Sequence, residues 1–334
     1  MGWHGCQSPG KVLRAWFERE LPSKSDSSIL CYVRRVLEGS AQILRTASLE
    51  SPLISVVLPT LNRAALLPES IESVLKQTER NLELIVVDDG SSDSTGEIIE
   101  RYAQQDRRIT WIRQQNLGLP KGLNNGFRLA RGEFFTWTSD DNRYFPDACS
   151  IMSRALLADP EVGFVFADMV RRRPAGLVYH PYPRPERIWE YNKFGGAFMY
   201  RRTIAELVGE YDPHMSMVED YDYFLRLSQC ADVRHLPYIM YEYREHEDSL
   251  TNRQRAGQAR AFEKLLNKHR AAGRARRWEL SSMAVSVAGA YRRTGLLRDA
   301  LRLARTAWCL WPFNWRSYRS IAFVLATGCR RNAR

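Results

Sequence analysis

Four short apolar runs between residues 53 and 137 constrain the fold of this 334-residue chain more than any other feature. Residues 53–58, 84–87, 109–112 and 134–137 read as buried strands, each too short to be a helix of its own. Pro59 ends the first. Stretches of helical length lie between them, at 64–77, from Ser94 to about 105, and at 121–131. The second opens on a capping box, Ser94 with Glu97 three residues on. Strands alternating with helices of this length give βαβ units and a parallel sheet. Two of the runs end on paired aspartates: Asp88-Asp89, and Asp140-Asp141 within Thr138-Ser139-Asp140-Asp141-Asn142. Right-handed crossovers bring those ends to one sheet edge, where open α/β sheets bind ligands. Adjacent carboxylates repel unless a cation or a proton sits between them. One such pair reads equally as a divalent-metal site or as a solvated turn capping the next helix. Two pairs on one edge favour the metal.

Downstream the pattern is mixed. Residues 163–168 read as a strand, 171–185 as a loop, and 195–200 as a strand behind the close-approach glycines Gly195 and Gly196. Asp212-Pro213 is a turn. Glu219-Asp220 opens a helix with Tyr221, Phe224 and Leu225 on one face. Carboxylates in a first helical turn ordinarily serve the helix dipole. A strand at 238–241 leads into Tyr243-Arg244-Glu245-His246. Residues 1–51 form a basic helical appendage without a motif, 52–252 one α/β domain, and 253–334 a basic helical tail.

No run of about 18 apolar residues occurs, so no transmembrane helix is expected. Residues 1–10 hold no apolar core with a cleavage site, so no signal peptide is expected either. Six cysteines lie scattered without paired spacing, which fits reduced thiols in the cytoplasm and no zinc motif. Residues 253–334 hold 19 of the 49 Lys and Arg but only three acids, a net +16, which leaves −5 for the first 252 residues. Such a tail suits nucleic acid, anionic lipid or an acidic polymer. Ala288, Tyr291, Gly295, Ala300, Ala307 and Pro312 match one tetratricopeptide-like helical hairpin. Trp308, Trp311, Phe313, Trp315 and Tyr318 then mingle with arginines, as in segments that lie on a membrane surface. No nucleic-acid-binding module accompanies the charge, so nucleic acid is not an expected partner.

Taken together, residues 54–63, 73–78, 84–91, Gly132-Glu133-Phe134, Ser139-Asp140-Asp141-Asn142, Pro146-Asp147, Tyr200-Arg201-Arg202 and Glu219-Asp220-Tyr221-Asp222 resemble the family 2 inverting glycosyltransferases of the bacterial polysaccharide-biosynthesis type. The resemblance covers about residues 52–252. It implies a GT-A fold, Rossmann-like, with a mostly parallel sheet flanked by helices. It also implies a nucleotide-sugar donor (a UDP-sugar above all), Mg²⁺ or Mn²⁺, inversion at the anomeric carbon and a surface-glycan acceptor, while the basic tail suggests a lipid-linked acceptor at the inner face of the cytoplasmic membrane. Asp141 matches the metal ligand, with Asp140 on the ribose side or on a metal-bound water, and His246 is a further candidate ligand. Asp89 matches the residue that binds the base, in a pocket lined by Pro59, Thr60 and Asn62. Asp88 reads either as a turn cap or as a ligand contact. Gly195 and Gly196 would let the backbone approach the sugar, or mark a bulge. Arg244 would fold over the diphosphate. Asp220 matches the base that takes the acceptor's proton, and Glu219 orients the acceptor or the base.

The chain departs from the family pattern at Thr138, where an acid is frequent, and at Leu123, where an arginine often precedes Asn124. The first thins the metal shell, and both leave the donor open. Two other readings compete. Nucleotidyl transfer also uses an α/β sheet and carboxylate-bound metal, but it calls for a phosphate loop that Pro59-Thr60-Leu61-Asn62 does not supply. A sugar-nucleotide-binding scaffold would dispense with Asp141 or Asp220, and both are present.

Overall fold

The structure is a computed structural model that describes residues 53–180, 182, 185–190, 196–246 and 255–332. The expected appendage at 1–51 and Gly195 lie outside the described residues. The chain folds as two compact units interleaved in sequence. Residues up to 182, 194–211 and 226–245 make the first, and 183–193, 212–225 and 246–334 the second. The second unit thus takes 183–193, 212–225 and the end of the block from 246 out of the stretch the sequence reads as one domain.

Among the described residues, the first unit holds strands β1 (Ile54–Thr60), β2 (Leu82–Asp88), β3 (Ile109–Arg113), β4 (Phe134–Trp137), β5 (Arg143–Tyr144), β6 (Val162–Arg173), β7 (Gly176–His180), β8 (Phe198–Arg201) and β9 (Asp232–Arg244). They form one sheet in the order β3-β2-β1-β4-β8-β6-β9-β5, with β7 paired to β6. The expected parallel half is β3-β2-β1-β4. Beyond β4 the sheet is mixed, because β8 runs antiparallel to both β4 and β6. Helices α1 (Leu67–Leu75), α2 (Thr95–Gln105), α3 (Leu119–Leu129), α4 (Ala148–Leu157) and α5 (Arg202–Val208) complete the unit. Every residue of β1 and β2 is buried. Strands covered on both faces have no polar side to show, so they read as unbroken apolar runs.

Three expectations fail locally. β1 runs through Pro59 to Thr60, in register with β2. Its ladder with β4 closes at Val57, whose carbonyl accepts from the Thr138 amide at 3.0 Å. Pro59 has the parity of Val57, so its missing N–H falls where there is no ladder left to break. The capping box at Ser94 does not form. Asp93 takes the Thr95 amide at 3.0 Å instead, one residue earlier than expected. The loop expected at 171–185 begins as a hairpin of β6 and β7. Its arginines stay in the strand because β9 ends in carboxylates: Arg172 pairs with Glu242, and Arg171 and Arg173 pair with Glu245.

The second unit contains α6 at its start (Glu219–Leu227), then α7 (Arg255–Ala272), α8 (Arg277–Arg293), α9 (Leu297–Leu310) and α10 (Trp315–Asn332). α8 and α9 form a helical hairpin at the expected place. Gly295 turns it with φ +81°, a conformation that glycine takes without strain. Ala288, Ala300 and Ala307 are fully buried between the helices. No helix of the described residues is long and apolar enough to cross a membrane.

Candidate active site

Parallel β1, β2 and β4 bring Thr60, Asp88 and Trp137 to one edge. β6 runs antiparallel to β8, as β4 does, and β9 is parallel to β6, so Arg244 ends at the same edge. Asp88 caps its turn, its Oδ1 accepting from the Ser91 amide at 2.8 Å, and Arg113 lies 3.5 Å from Oδ2. Asp89 takes three hydrogen bonds, from Gln114 Nε2 (2.7 Å) and from the amides of Leu117 (2.8 Å) and Gly118 (2.9 Å). A carboxylate has about four acceptor sites, so one is left for a ligand. Asn125 in turn donates to Gln114 at 2.6 Å, which ties α3 to Asp89. Asn62 adopts φ +54°, and its Oδ1 accepts from the Ser92 amide at 2.8 Å. The loops after β1 and β2 are therefore locked together before any ligand arrives.

Into this frame the 138–142 turn delivers its acids. Asp140 accepts from the Leu61 amide at 3.4 Å and lies 3.6 Å from Arg63 Nε. The Thr60 hydroxyl sits close enough to favour the charged form of Asp140, although it makes no hydrogen bond of ordinary geometry. Burial first, and the Asp141 charge second, push Asp140 up to about 7. Two adjacent carboxylates with so little compensating charge form a hard-oxygen donor set that suits Mg²⁺ or Mn²⁺. Among the described residues no three His, Cys, Asp or Glu side chains converge as a metal cage. Of the candidate metal ligands, Asp140 and Asp141 belong to the first unit and His246 to the second.

Tyr241 anchors the turn. Its hydroxyl meets Thr138 Oγ1 at 2.9 Å and accepts from the Ser139 amide at 3.4 Å. Thr138 is thereby engaged with Tyr241. A Cβ on Gly196 would stand 2.0 Å from the Tyr241 ring, so packing against that ring already requires the glycine. Asn142 closes the turn from the other side: its carbonyl accepts from Ser70 Oγ (2.7 Å), and its Oδ1 from the Arg244 amide (2.8 Å). Arg244 is the last residue of β9 rather than part of a loop, and its guanidinium pairs with Glu69. Leu123 is fully buried, and Asn124 exchanges two 2.8 Å hydrogen bonds with the Tyr211 backbone. Both positions serve the core. Sequence reasoning missed Tyr241, Asn142 and Gln114. The only local trace of Tyr241 is its place in an apolar run.

Glu219 and Asp220 belong to the second unit. Met217, just before them, holds φ +73°. A non-glycine residue there is strained, and such strain clusters at functional sites. Burial, then the neighbouring Asp220, push Glu219 up to about 8. Both effects favour the protonated form of Glu219, and among the described residues its buried Oε2 has no hydrogen-bond partner. Half-buried Asp220 accepts from the Tyr221 amide at 2.6 Å in the first turn of α6, where the helix dipole favours its charge. Two adjacent acids in unlike surroundings, one buried and one half-buried, are an arrangement that acid–base sites use. Fully buried Asp222 binds Lys268 at 2.8 Å and His269 at 3.2 Å. Lys268 also reaches Asp212 at 2.8 Å. Thus α7 braces the helix that carries the two acids.

Comparison with known proteins agrees with these features. The family model described as Glycosyl transferase family 2 matches residues 55–222, half of the chain. The putative glycosyltransferase EpsH of Bacillus subtilis is 30% identical over 227 residues, 61% of this chain and 64% of its own length. S. aureus TarS 1-349 in complex with UDP-GlcNAc superposes with a TM-score of 0.58 at 15% identity, over 83% of this chain and 91% of that one. Mannosyltransferase PcManGT from Pyrobaculum calidifontis, in complex with GDP-Man and Mn²⁺, superposes with a TM-score of 0.52 at 20% identity, over 97% of each chain. At these identities the two structures speak for the fold.

Proposed function

Because the chain belongs to glycosyl transferase family 2 and has the GT-A fold, we propose that it moves a sugar from a nucleotide-diphosphate donor, a UDP-sugar, to an acceptor hydroxyl with inversion at the anomeric carbon. The observation that carries this reading is the shared edge of β1, β2 and β4, where Asp89 and Asp140 stand on interlocked loops. The base would use the last acceptor site of Asp89 and the walls formed by Pro59, Thr60 and Asn62. Asp140 would hold the ribose side. Asp141, with Asp140 beside it, would hold the Mg²⁺ or Mn²⁺, which supplies positive charge to the departing diphosphate. The Mn²⁺ bound by the Pyrobaculum enzyme supports this assignment.

Inversion by direct displacement needs one base. Asp220 takes the acceptor hydroxyl's proton as that oxygen bonds to the anomeric carbon and the bond to the nucleotide diphosphate breaks. Glu219, whose burial favours its protonated form, donates a hydrogen bond that orients the acceptor. The acceptor we propose is a growing surface glycan or a lipid-linked one. The tail supports an anionic membrane surface nearby: Arg270, Arg277, Arg298, Arg302 and Arg305 line one cavity of about 610 Å³, and Trp308, Trp311, Phe313 and Tyr318 are exposed.

Thermal-shift measurements with UDP, GDP, TDP and CMP, each with and without Mn²⁺, test the donor reading. Stabilisation by UDP that depends on Mn²⁺ and disappears in Asp141→Asn is expected. No shift with any nucleotide would refute the donor reading.

A further inference from the structure

The second unit holds a cavity of about 730 Å³ between α7, α8, α10 and the 185–190 turn. Within the family-matched stretch only Glu190 and Tyr221 line it; the rest of its wall comes from helices beyond that stretch. We propose that this cavity is an acceptor subsite for an anionic saccharide, a sugar bearing a phosphate or a carboxylate, an inference that rests on Asp220 as the proton acceptor.

Three features of the wall point to that chemistry. The first is size, since ligand sites run from about 300 to about 1,000 Å³. The second is aromatic surface. Phe262, Trp315 and Phe323 face the cavity, and Trp315 and Phe323 remain 64% and 48% exposed. Leaving large rings in water forgoes burial energy, and their flat faces suit the apolar C–H side of a sugar ring.

The third is charge. Among the described residues Glu190 is the one carboxylate of the lining, and it is already paired with Arg187 and Arg316. Arg292 lies over the Phe323 ring at 4.2 Å. Arg293 and Arg319 are exposed and have no hydrogen bond or ion pair among the described residues. Two unpaired guanidiniums beside a stacking platform can bind a phosphate or carboxylate through paired N–H donors. A neutral sugar would leave them unused.

The cavity also lies next to the proposed chemistry. Tyr221, which follows Asp220 in the chain, lines it and donates to the Ile188 carbonyl at 2.7 Å. The charges of Glu190 and Asp220, after burial, keep that phenol from ionising, so both carboxylates lie within electrostatic reach of its hydroxyl. A saccharide held on Trp315 and Arg293 would sit near the base that must deprotonate it.

Calorimetric titration of the full chain with glucose 6-phosphate, glucuronate and glucose tests the proposal. At least one acidic sugar is expected to bind, and glucose to bind about ten-fold more weakly or worse, the loss expected when a charge-assisted pair goes unmade. Whichever acid binds more tightly tells phosphate from carboxylate. The double variant Arg293→Gln/Arg319→Gln should weaken the acidic sugar by about ten-fold or more, whereas Arg293→Lys/Arg319→Lys, which keeps the charge, should weaken it less. Equal binding of glucose, no binding of either acid, or full affinity in the Gln double variant would each overturn the subsite. UDP titrated into the same samples reports on the donor reading separately. Loss of sugar binding with UDP binding intact removes only the subsite, and the reverse removes only the donor reading.

Discussion

Tyr241→Phe removes one oxygen and leaves the ring in place, so it isolates what the hydroxyl does for the 138–142 turn. That hydroxyl is fully buried and serves Thr138 Oγ1 at 2.9 Å and the Ser139 amide at 3.4 Å. Thr138, only 1% exposed, keeps a weak contact to the Ser139 carbonyl at 3.5 Å. Among the described residues the Ser139 amide has no other hydrogen-bond partner. A buried polar group left unpaired costs about 1–3 kcal/mol. The long 3.4 Å bond puts the total in the lower half of that range, at about 1–2 kcal/mol. For a protein of this size each kcal/mol lowers Tm by about 2–4 °C, so a drop of about 2–8 °C is expected. The same loosening frees Asp140 and Asp141 from their fixed positions. Mn²⁺-dependent UDP affinity, read by titration, should therefore fall by up to about ten-fold, the equivalent of about 1.4 kcal/mol. A variant with unchanged Tm and unchanged UDP affinity would show that the hydroxyl does not position the acids. The ring itself cannot move aside to compensate, because Tyr144 packs edge-on against it at 5.1 Å.

Asp220→Asn should lower the transfer rate by about 10²–10⁴-fold, the usual worth of a positioned base, while UDP affinity stays near wild type; a rate within a few-fold of wild type would remove Asp220 from the chemistry. Glu219 binds its proton more tightly folded, with a pKa of about 8, than unfolded, at 4.5. The contribution of Glu219 to stability is therefore fully present below about pH 4.5 and is lost as pH rises towards 8. Glu219→Gln should flatten that fall in denaturant titrations between those limits, and an unaltered slope would contradict a protonated Glu219. Replacing Arg270, Arg277, Arg298 and Arg305 by Glu should reduce flotation with anionic vesicles and leave neutral ones unaffected; equal flotation of both forms would exclude the membrane surface.

The fold was legible where burial is simple. β1, β2 and β4 are covered on both faces, so their sequences carry the strand signal without help from distant residues. Gly295 and the buried alanines announced the α8–α9 hairpin in the same way. β6 was half-hidden because its arginines look like loop until Glu242 and Glu245, some 70 residues on, are seen opposite them. The candidate site shows the same division. The paired aspartates were readable because the strands that end on them are. The turn's anchor was not: Tyr241 lies 103 residues from Thr138, and nothing near either residue predicts the other. The capping box failed for the opposite reason, since an equally local competitor, Asp93, won the Thr95 amide.

The link from Lys268 and His269 to Asp222 bears on how this molecule could be recombined. Buried ion pairs tolerate joint replacement far better than the loss of one partner, which costs about 3–5 kcal/mol. A chimera that exchanged only the C-terminal helices with a relative would strip Asp222 of both partners and unsettle the helix that begins at Glu219. An exchange that also carried residues 183–193 and 212–225 would move the pairings intact. Acceptor preference in this protein would then be inherited as a discontinuous cassette, stitched through the chain in three pieces and transferable only when all three travel together.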